Sequence, residues 1–301
     1  KDPDVAPYLP DAIHRDPIEI TLDRKSAKLY NRIVRDLLLD LDEAQALFGS
    51  NFNILAHYGV ESQRGGPEDE MRGRIMSKIG ALKMLCSHPR LLEISAQKFM
   101  QMTGEGSAYA ATLMGEGALD GITVSPKLEY LTQYVNEFLD QDDSNKVVIF
   151  ATHINMLDTI QEALGKDRCR LYSGKLDAKT KEQNKLEFNN SPTIKVLISS
   201  DAGGYGVDLP SANLLVNYDL PWSAGSATQR NGRIVRASST WPSIVIQDVI
   251  ITGSIERRQY ESLQQKNALA SAVIDGEGID DKGGITMSVS SLRQFLQTSI
   301  V

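Results

Sequence analysis

Two arginines, Arg233 and Arg236, stand three residues apart at the end of the run QRNGRIVR. On a helix such residues project from one face, and two guanidinium forks aimed at one place suit a phosphate group. Upstream, Gly203, Gly204 and Gly206 interrupt an otherwise apolar stretch and are followed by Asp208. Adjacent glycines permit positive φ and let a backbone approach a ligand without a Cβ in the way. Amides of that loop could then face a phosphate chain or a sugar.

These groups need a scaffold, and the stretch Ile194–Arg236 supplies its own. Ile194 to Ser199 and Leu214 to Tyr218 are apolar runs of strand length. The glycine loop joins them, Pro221 and Trp222 follow, and a polar helical pattern carries Gln229, Gly232, Arg233 and Arg236. The expected order is strand, glycine loop, strand, arginine helix. Upstream, VVIFA reads as a buried strand and His153 to Leu164 as a helix. Cys169 to Tyr172 reads as a second strand, Asp177 caps a helix through Phe188, and Ser243 to Ile251 forms a further strand. Strands alternating with helices predict an α/β fold with a parallel sheet covered on both faces. Ligands gather beyond the carboxyl ends of such strands, where Thr152, Ser173, Gly174, Ser199, Ser200 and Asp219 fall.

The preceding residues read as mostly helical. Lys1 to Pro17 is proline-rich and polar, a linker or severed end, and PIEITLD alternates as a short strand. Asp23 can cap a long amphipathic helix with Leu29, Ile33, Leu37, Leu41 and Leu47 on its apolar stripe. Gly49 to Glu70 reads as an exposed insertion, and RIMSKIGALKMLCSHP as a helix ended by proline. His88 has no second metal ligand nearby and reads as a cap or hydrogen-bonded histidine. Ser95 to Met114 is an interrupted helix, and Ser125 with Pro126 opens another, carrying Leu128, Leu131, Val135, Phe138 and Leu139 on one face. Ser254 to Ala270 is helical, Ala272 to Gly284 a loose tail, and Ser290 to Gln297 one short helix. The expected division is 1–124 as a helical linker and insertion region, 125–270 as the α/β domain and 271–301 as a tail.

The 301 residues give ample material for a core. No apolar run approaches a membrane span and the N-terminus carries no signal-like region. Cys86 and Cys169 have neither disulfide-framework nor zinc-site spacing. The expectation is an intracellular, not secreted, protein without a membrane partner. The net charge of −7 argues against nucleic acid, but Lys166 to Lys266 holds fourteen Lys and Arg against ten Asp and Glu. The basic charge sits with the candidate site.

The blocks SSDAGGYGVDLPSA, NYDLPW and QRNGRIVR, in that order and spacing, resemble motifs five and six of superfamily-two helicases, most closely the SWI/SNF-type DNA translocases. LKMLCSHPRLL resembles the block that such proteins carry between their two motor lobes, and TGSIERRQYESLQQK the segment that closes the second lobe. The resemblance implies a RecA-like helicase C-terminal lobe, of P-loop NTPase-like fold, preceded by a helical segment. It implies ATP bound between two lobes, with Arg233 and Arg236 as arginine fingers on the phosphates, Gln229 orienting their helix, and Gly206 and Asp208 near the ribose. It implies duplex DNA along a groove lined by Thr152, Ser173, Gly174, Lys175, Ser200, Ala202, Gly203 and Trp222.

No G-x-x-x-x-G-K-[ST] loop and no strand followed by an acidic pair is present. By the resemblance those belong to a first RecA-like lobe, which would hold most of the magnesium coordination. The reading is therefore the C-terminal half of an ATP-dependent translocase, inactive alone, in the cytoplasm of a bacterial or virus-infected cell or in a nucleus. A nucleic-acid-binding or docking module without motor function, or an RNA helicase of the DEAD-box kind, are the alternatives. Three positions depart from the family. Asp201 stands where lysine or arginine is usual, Asp208 where asparagine is common, and ASST follows Arg236 in place of I-G-Q.

Overall fold

The structure, a computed structural model, describes residues 9–54, 65–201, 207–221, 223–274 and 288–298. The chain divides into two compact units, one of Lys1–Thr21 with Pro126–Ile250 and the other of Leu22–Ser125 with Ile251–Val301. This division crosses the boundaries drawn from sequence. The first strands belong with the sheet, and the residues after Ile250 belong with the helices.

In the first unit, seven strands among the described residues form one sheet. They are β1 (Asp11–His14), β2 (Ile18–Ile20), β3 (Val147–Phe150), β4 (Cys169–Tyr172), β5 (Val196–Ser199), β6 (Leu214–Asn217) and β7 (Ser243–Ile251). The order is β1-β7-β6-β3-β5-β4, with β2 also pairing β7. β3 runs parallel to β5 and β6, β4 to β5, and β7 to β6 and β1. The helices α5 (Pro126–Leu139), α6 (Ile154–Leu164), α7 (Ala178–Asn190) and α8 (Ala224–Asn231) are interleaved with these strands. Every position of β3, β5 and β6 is buried, as continuous apolar runs in a doubly covered parallel sheet require. Asp177 caps α7 by accepting from the Thr180 amide at 2.9 Å. Val148, Phe150, Phe188, Leu197, Leu215 and Ile244 belong to one apolar cluster, which also takes in Ile234 beyond α8.

The segment from β3 leads toward β4 on one side, and the one from β6 leads toward β7 on the other. The crevice between the carboxyl ends of β3 and β6 is thus the topological switch point, where such sheets collect ligands.

The expected linker over Lys1–Pro17 is corrected by β1. Asp11 to His14 lie in register with Ser243 to Ile246, flanked by main-chain bonds from the Asp11 amide to Pro242 at 2.9 Å and from the Arg15 amide to Ile246 at 3.1 Å. All four side chains are exposed. An edge strand held by its backbone alone leaves no apolar alternation to read.

The second unit contains α1 (Arg24–Phe48), α2 (Pro67–Ser87), α3 (Arg90–Met100), α4 (Ala108–Gly115), α9 (Ile255–Ile274) and α10 (Val289–Thr298). Asp23 caps α1, accepting from the amides of Lys25 at 2.9 Å and Ser26 at 3.2 Å. Leu29, Ile33, Leu37 and Leu41 are buried as expected, but Leu47 is exposed and Ala44 takes the inward position instead. Leu47 lies six residues past Leu41, which at about 100° per residue turns it off the stripe. Within the expected insertion, Phe52 and Ile54 are buried and Phe52 stacks on Phe48 at 4.9 Å. The helix expected after it begins earlier, at Pro67, with Glu68, Asp69 and Glu70 in the first turn favoured by the helix dipole. The buried carboxylate of Asp40 on α1 accepts from Arg74 and Lys78 on α2, which fixes the pair.

Gly106 stands between α3 and α4 with φ of 93°, and a Cβ there would sit 2.3 Å from the Ser95 carbonyl oxygen and 2.6 Å from the Phe99 nitrogen. His88 ends α2 and accepts the Arg90 amide on Nδ1 at 3.1 Å, so it is the hydrogen-bonded cap that the sequence suggested. Burial, with the Arg90 charge second, holds its pKa below the ordinary 6.5.

Two predictions follow from these contacts. Gly106→Ala lowers helical-unit stability by at least about 2 kcal/mol, since the clash is with backbone and the dihedral is strained; circular dichroism during urea unfolding reads the loss. For His88, the folded chain binds fewer protons than the unfolded one, so stability is full above 6.5 and falls as pH drops through that value. In His88→Asn, where Oδ1 replaces the accepting nitrogen, that share of the decline disappears from the same unfolding curves.

Candidate functional site at the carboxyl edge of the sheet

The register sets one row of residues level at the strand ends. Tyr172 pairs with Ser199, Ser199 with Phe150, Phe150 with Asn217, and Asn217 with Asp248. The residues just beyond that row therefore share one rim. Thr152, Ser173, Gly174, Ser200 and Asp219 all lie on it, as the sequence predicted.

Asp219 fills the crevice between β3 and β6. Its Oδ2 accepts from the Thr152 amide at 3.0 Å, and its Oδ1 lies 3.9 Å from the ammonium of Lys127, a fully buried residue on α5. The same ammonium sits 5.0 Å from the centre of the Tyr218 ring. The Thr152 hydroxyl is buried and has no hydrogen-bond partner among the described residues. Ser173 is buried and its carbonyl accepts from Leu176 at 3.2 Å, which turns the chain and leaves Gly174 and Lys175 exposed. The Ser200 amide donates to the Tyr172 carbonyl at 3.2 Å, so its buried position is set by β4.

Arg230, on α8, is the buried side chain at this rim that the sequence reading missed. It is 2% exposed. Its Nε and Nη2 donate to the two carboxylate oxygens of Asp201 at 2.6 and 2.8 Å. Its Nη1 donates to Asn217 Oδ1 at 2.9 Å and to the Asp219 carbonyl at 2.6 Å, and its guanidinium lies 5.1 Å from the centre of the Phe150 ring. Asn217 passes the connection on, donating from Nδ2 to Asp248 at 2.8 Å. Burial raises the Asp248 pKa, against the pull of Asn217, His14, Arg230 and Lys127. No spacing rule links Arg230 to Asp201 or Lys127 to Asp219; the one available signal was an arginine inside a motif whose other arginines drew the attention.

The expected arginine helix is corrected. α8 ends at Asn231, Gly232 caps it, and the Gly232 amide donates to Thr228 at 2.9 Å. Gly232 keeps a right-handed conformation, and the Arg233 and Ile234 amides donate in turn fashion to the carbonyls of Arg230 and Asn231 at 3.0 and 3.3 Å. The chain then turns to place Ile234 in the apolar core, fully buried. That anchor draws Arg233 down to 6% exposure while Arg236 remains exposed, so a shared helix face does not relate the two. Arg233 lies within electrostatic reach of Tyr172 at the end of β4. Its carbonyl accepts from the Leu209 amide at 3.1 Å. Gln229 is exposed on α8. Asp208 is exposed and accepts from the Ser238 hydroxyl at 2.8 Å. Ala202, Gly203, Gly206 and Trp222 lie outside the described residues.

Residues 126–238 match the family described as the helicase conserved C-terminal domain. The DNA repair and recombination protein RAD54-like of Gallus gallus is 30% identical over 224 residues, 70% of this chain and 30% of that protein. Its Danio rerio counterpart is 29% identical over 221 residues, 67% of this chain and 28% of that protein. Residues 126–238 carry a helicase conserved C-terminal domain, and the chain around them is similar to RAD54-like proteins. The fold agrees. The C-terminal domain of a Sulfolobus solfataricus SWI2/SNF2 ATPase matches with a TM-score of 0.59 at 20% identity, covering 96% of this chain and all of that one. The same ATPase core in complex with dsDNA matches with a TM-score of 0.59 at 22% identity, covering 88% of this chain and 46% of that one. The chain spans 28% to 30% of the length of the two RAD54-like relatives. Among the described residues, no helix is long and apolar enough to cross a membrane and no three His, Cys, Asp or Glu gather as a metal site.

The buried charges of the rim can be tested directly. Lys127→Met removes the buried ammonium that faces the Asp219 carboxylate, and breaking a buried pair from one side costs about 3 kcal/mol. Adding Asp219→Asn recovers at least half of that loss. Both tryptophans of the chain fall within Pro126–Ile250, so their fluorescence during urea unfolding reports on this unit.

Proposed function

We propose that the lobe forms one side of an ATP site shared with a first RecA-like lobe, and one side of a track along duplex DNA, in an ATP-dependent translocase. The observation that carries this reading is the rim itself. Arg233 is drawn by Ile234 toward the strand ends, where Thr152, Ser173 and Ser200 are set by main-chain bonds.

In the proposed site Arg233 and Arg236 stabilise the charge that develops as the γ-phosphoryl group transfers. Guanidinium groups suit those oxygens through planar, bidentate donation. Asp208 accepts from ribose hydroxyls, Gly206 lets the backbone approach the sugar, and Gln229 holds the segment that bears the arginines. Magnesium enters with the nucleotide, held mainly by the first lobe.

On the DNA side, Thr152, Ser173, Gly174, Lys175, Ser200, Ala202, Gly203 and Trp222 line the track, and the exposed Gly174 backbone and Lys175 ammonium are its outward donors to the phosphate backbone. Such contacts fix register on the duplex and read no base. Nucleotide binding closes the two lobes and hydrolysis reopens them, so the grip shifts along one strand in each cycle.

The experiment is ATP turnover by this chain, alone and mixed with a first lobe from a SWI/SNF-type ATPase, with and without duplex DNA or RNA. Turnover appears only in the mixture that contains duplex DNA. In Arg233→Ala it falls by about three orders of magnitude or more, while duplex affinity stays within about twofold, as phosphate contacts elsewhere are retained. Unchanged turnover in a variant whose tryptophan fluorescence shows a folded lobe removes the arginine-finger role. Silence in every mixture, with DNA still bound, favours a docking module.

A further inference from the structure

Asp201 presents a chemical difficulty. It directly follows Ser200 on the rim proposed to face nucleic-acid phosphates, and its side chain is 38% exposed. A carboxylate there repels the ligand that the rim is built to hold. Arg230 stands behind it with both carboxylate oxygens in a fork-to-fork pair.

The rest of that guanidinium does something a surface ion pair does not. Nη1 holds the side chain of Asn217 and the main chain of Asp219, both at the end of β6. One buried group therefore joins the segment leaving β5, the end of β6 and the last turn of α8. Gly232 then leads directly from that turn to Arg233. The charged neighbours are accounted for. Asp219 lies against Lys127, and Asp248 is reached through Asn217. Asp201 has Arg230 at both of its oxygens.

We propose that Arg230 is a positioning residue that cancels the charge of Asp201 at the nucleic-acid rim and ties that rim to the segment bearing Arg233. It acts through Asp201 and Asn217 and touches neither ligand. The inference rests on the proposed DNA track. It accounts for an acidic residue at a position where the family presents a base: the cation is supplied from behind, and the rim faces the phosphates as a neutral pair.

The test uses fluorescence anisotropy of the full chain with a random-sequence DNA duplex. Arg230→Gln bares the carboxylate and weakens binding about tenfold at low salt. That gap narrows as salt rises, because the screening length falls from about 10 Å at 0.1 M to about 3 Å at 1 M. Asp201→Asn combined with Arg230→Gln returns affinity to within about twofold of wild type, because no bare charge remains on the rim. Urea unfolding, read by tryptophan fluorescence, shows both variants destabilised alike. Affinity that recovers while stability does not separates charge cancellation from a purely structural role.

Asp201→Asn alone leaves the Arg230 charge uncompensated and tightens binding severalfold, a result that does not depend on how well Arg230→Gln folds. Equal losses in the single and double variants overturn the inference, as does Asp201→Asn binding no more tightly than wild type. A wild-type chain that binds no duplex overturns the proposed track itself, a different failure from a wild type that binds while the double variant does not recover.

Discussion

A single buried guanidinium, that of Arg230, sets the geometry on which the carboxyl edge depends. Its contacts reach Asp201, Asn217, Asp219 and the Phe150 ring, so they span three adjacent strands and one helix. The energetics show why such an arrangement is about position more than stability. Desolvating the arginine is costly, and its attraction to a carboxylate that keeps 38% of its side chain in solvent offsets this only with good geometry and with every remaining donor satisfied. Here Nε, Nη1 and Nη2 all donate, and the carboxylate is met at both oxygens. An apolar pair could fill the same volume with equal stability, but it would not fix the end of β5 against the end of β6.

The departures from the family pattern fall into place as paired contacts. Asp201 is answered by Arg230. Asp208 is answered by Ser238, which belongs to the ASST stretch that replaces the usual residues after Arg236. That stretch is fastened to the loop before β6 by further bonds. The Thr240 amide donates to the Pro210 carbonyl at 3.1 Å, and the Trp241 indole donates to the Ser211 carbonyl at 2.9 Å. An acid at 208 and hydroxyls at 238 and 240 therefore form one local solution. A residue that looks wrong against a pattern reads differently once its partner some thirty positions away is known.

That distance also marks what could be read from the sequence. β3, β5 and β6 were legible because continuous apolar runs bounded by turn residues leave few alternatives, β4 and β7 because mostly apolar runs of strand length alternate with helical patterns, and the Asp23 and Asp177 caps because an N-cap is a local interaction. β1 was not, since its four side chains face solvent and its pairing is main-chain only. The end of α8 was misjudged because a motif was extended through Gly232, while the turn there goes with the burial of Ile234 in the core, a tertiary contact. Lys127 and Arg230 stayed hidden for a third reason. Their partners are carboxylates, an amide side chain and a carbonyl brought close only by the parallel register, and a buried cation has no sequence signature apart from its partner.

Under the proposed reading, the same register lets an acidic chain carry a phosphate-facing rim. A net charge of −7 is a statement about the whole surface, and at physiological salt fields from distant carboxylates are screened within about 8 Å. What a phosphate at the rim meets is the local set. Of the carboxylates there, Asp219 is turned inward onto Lys127 and the Thr152 amide, and Asp248 is half-buried and accepts from Asn217. Asp201 is matched by Arg230, so what remains outward is the exposed Gly174 backbone and the Lys175 ammonium. Donors without an acceptor charge beside them hold a phosphate at any sequence position equally well. Under the proposed reading, the sequence-independent grip that translocation requires thus follows from the way the acids are buried and paired, with no large excess of basic residues.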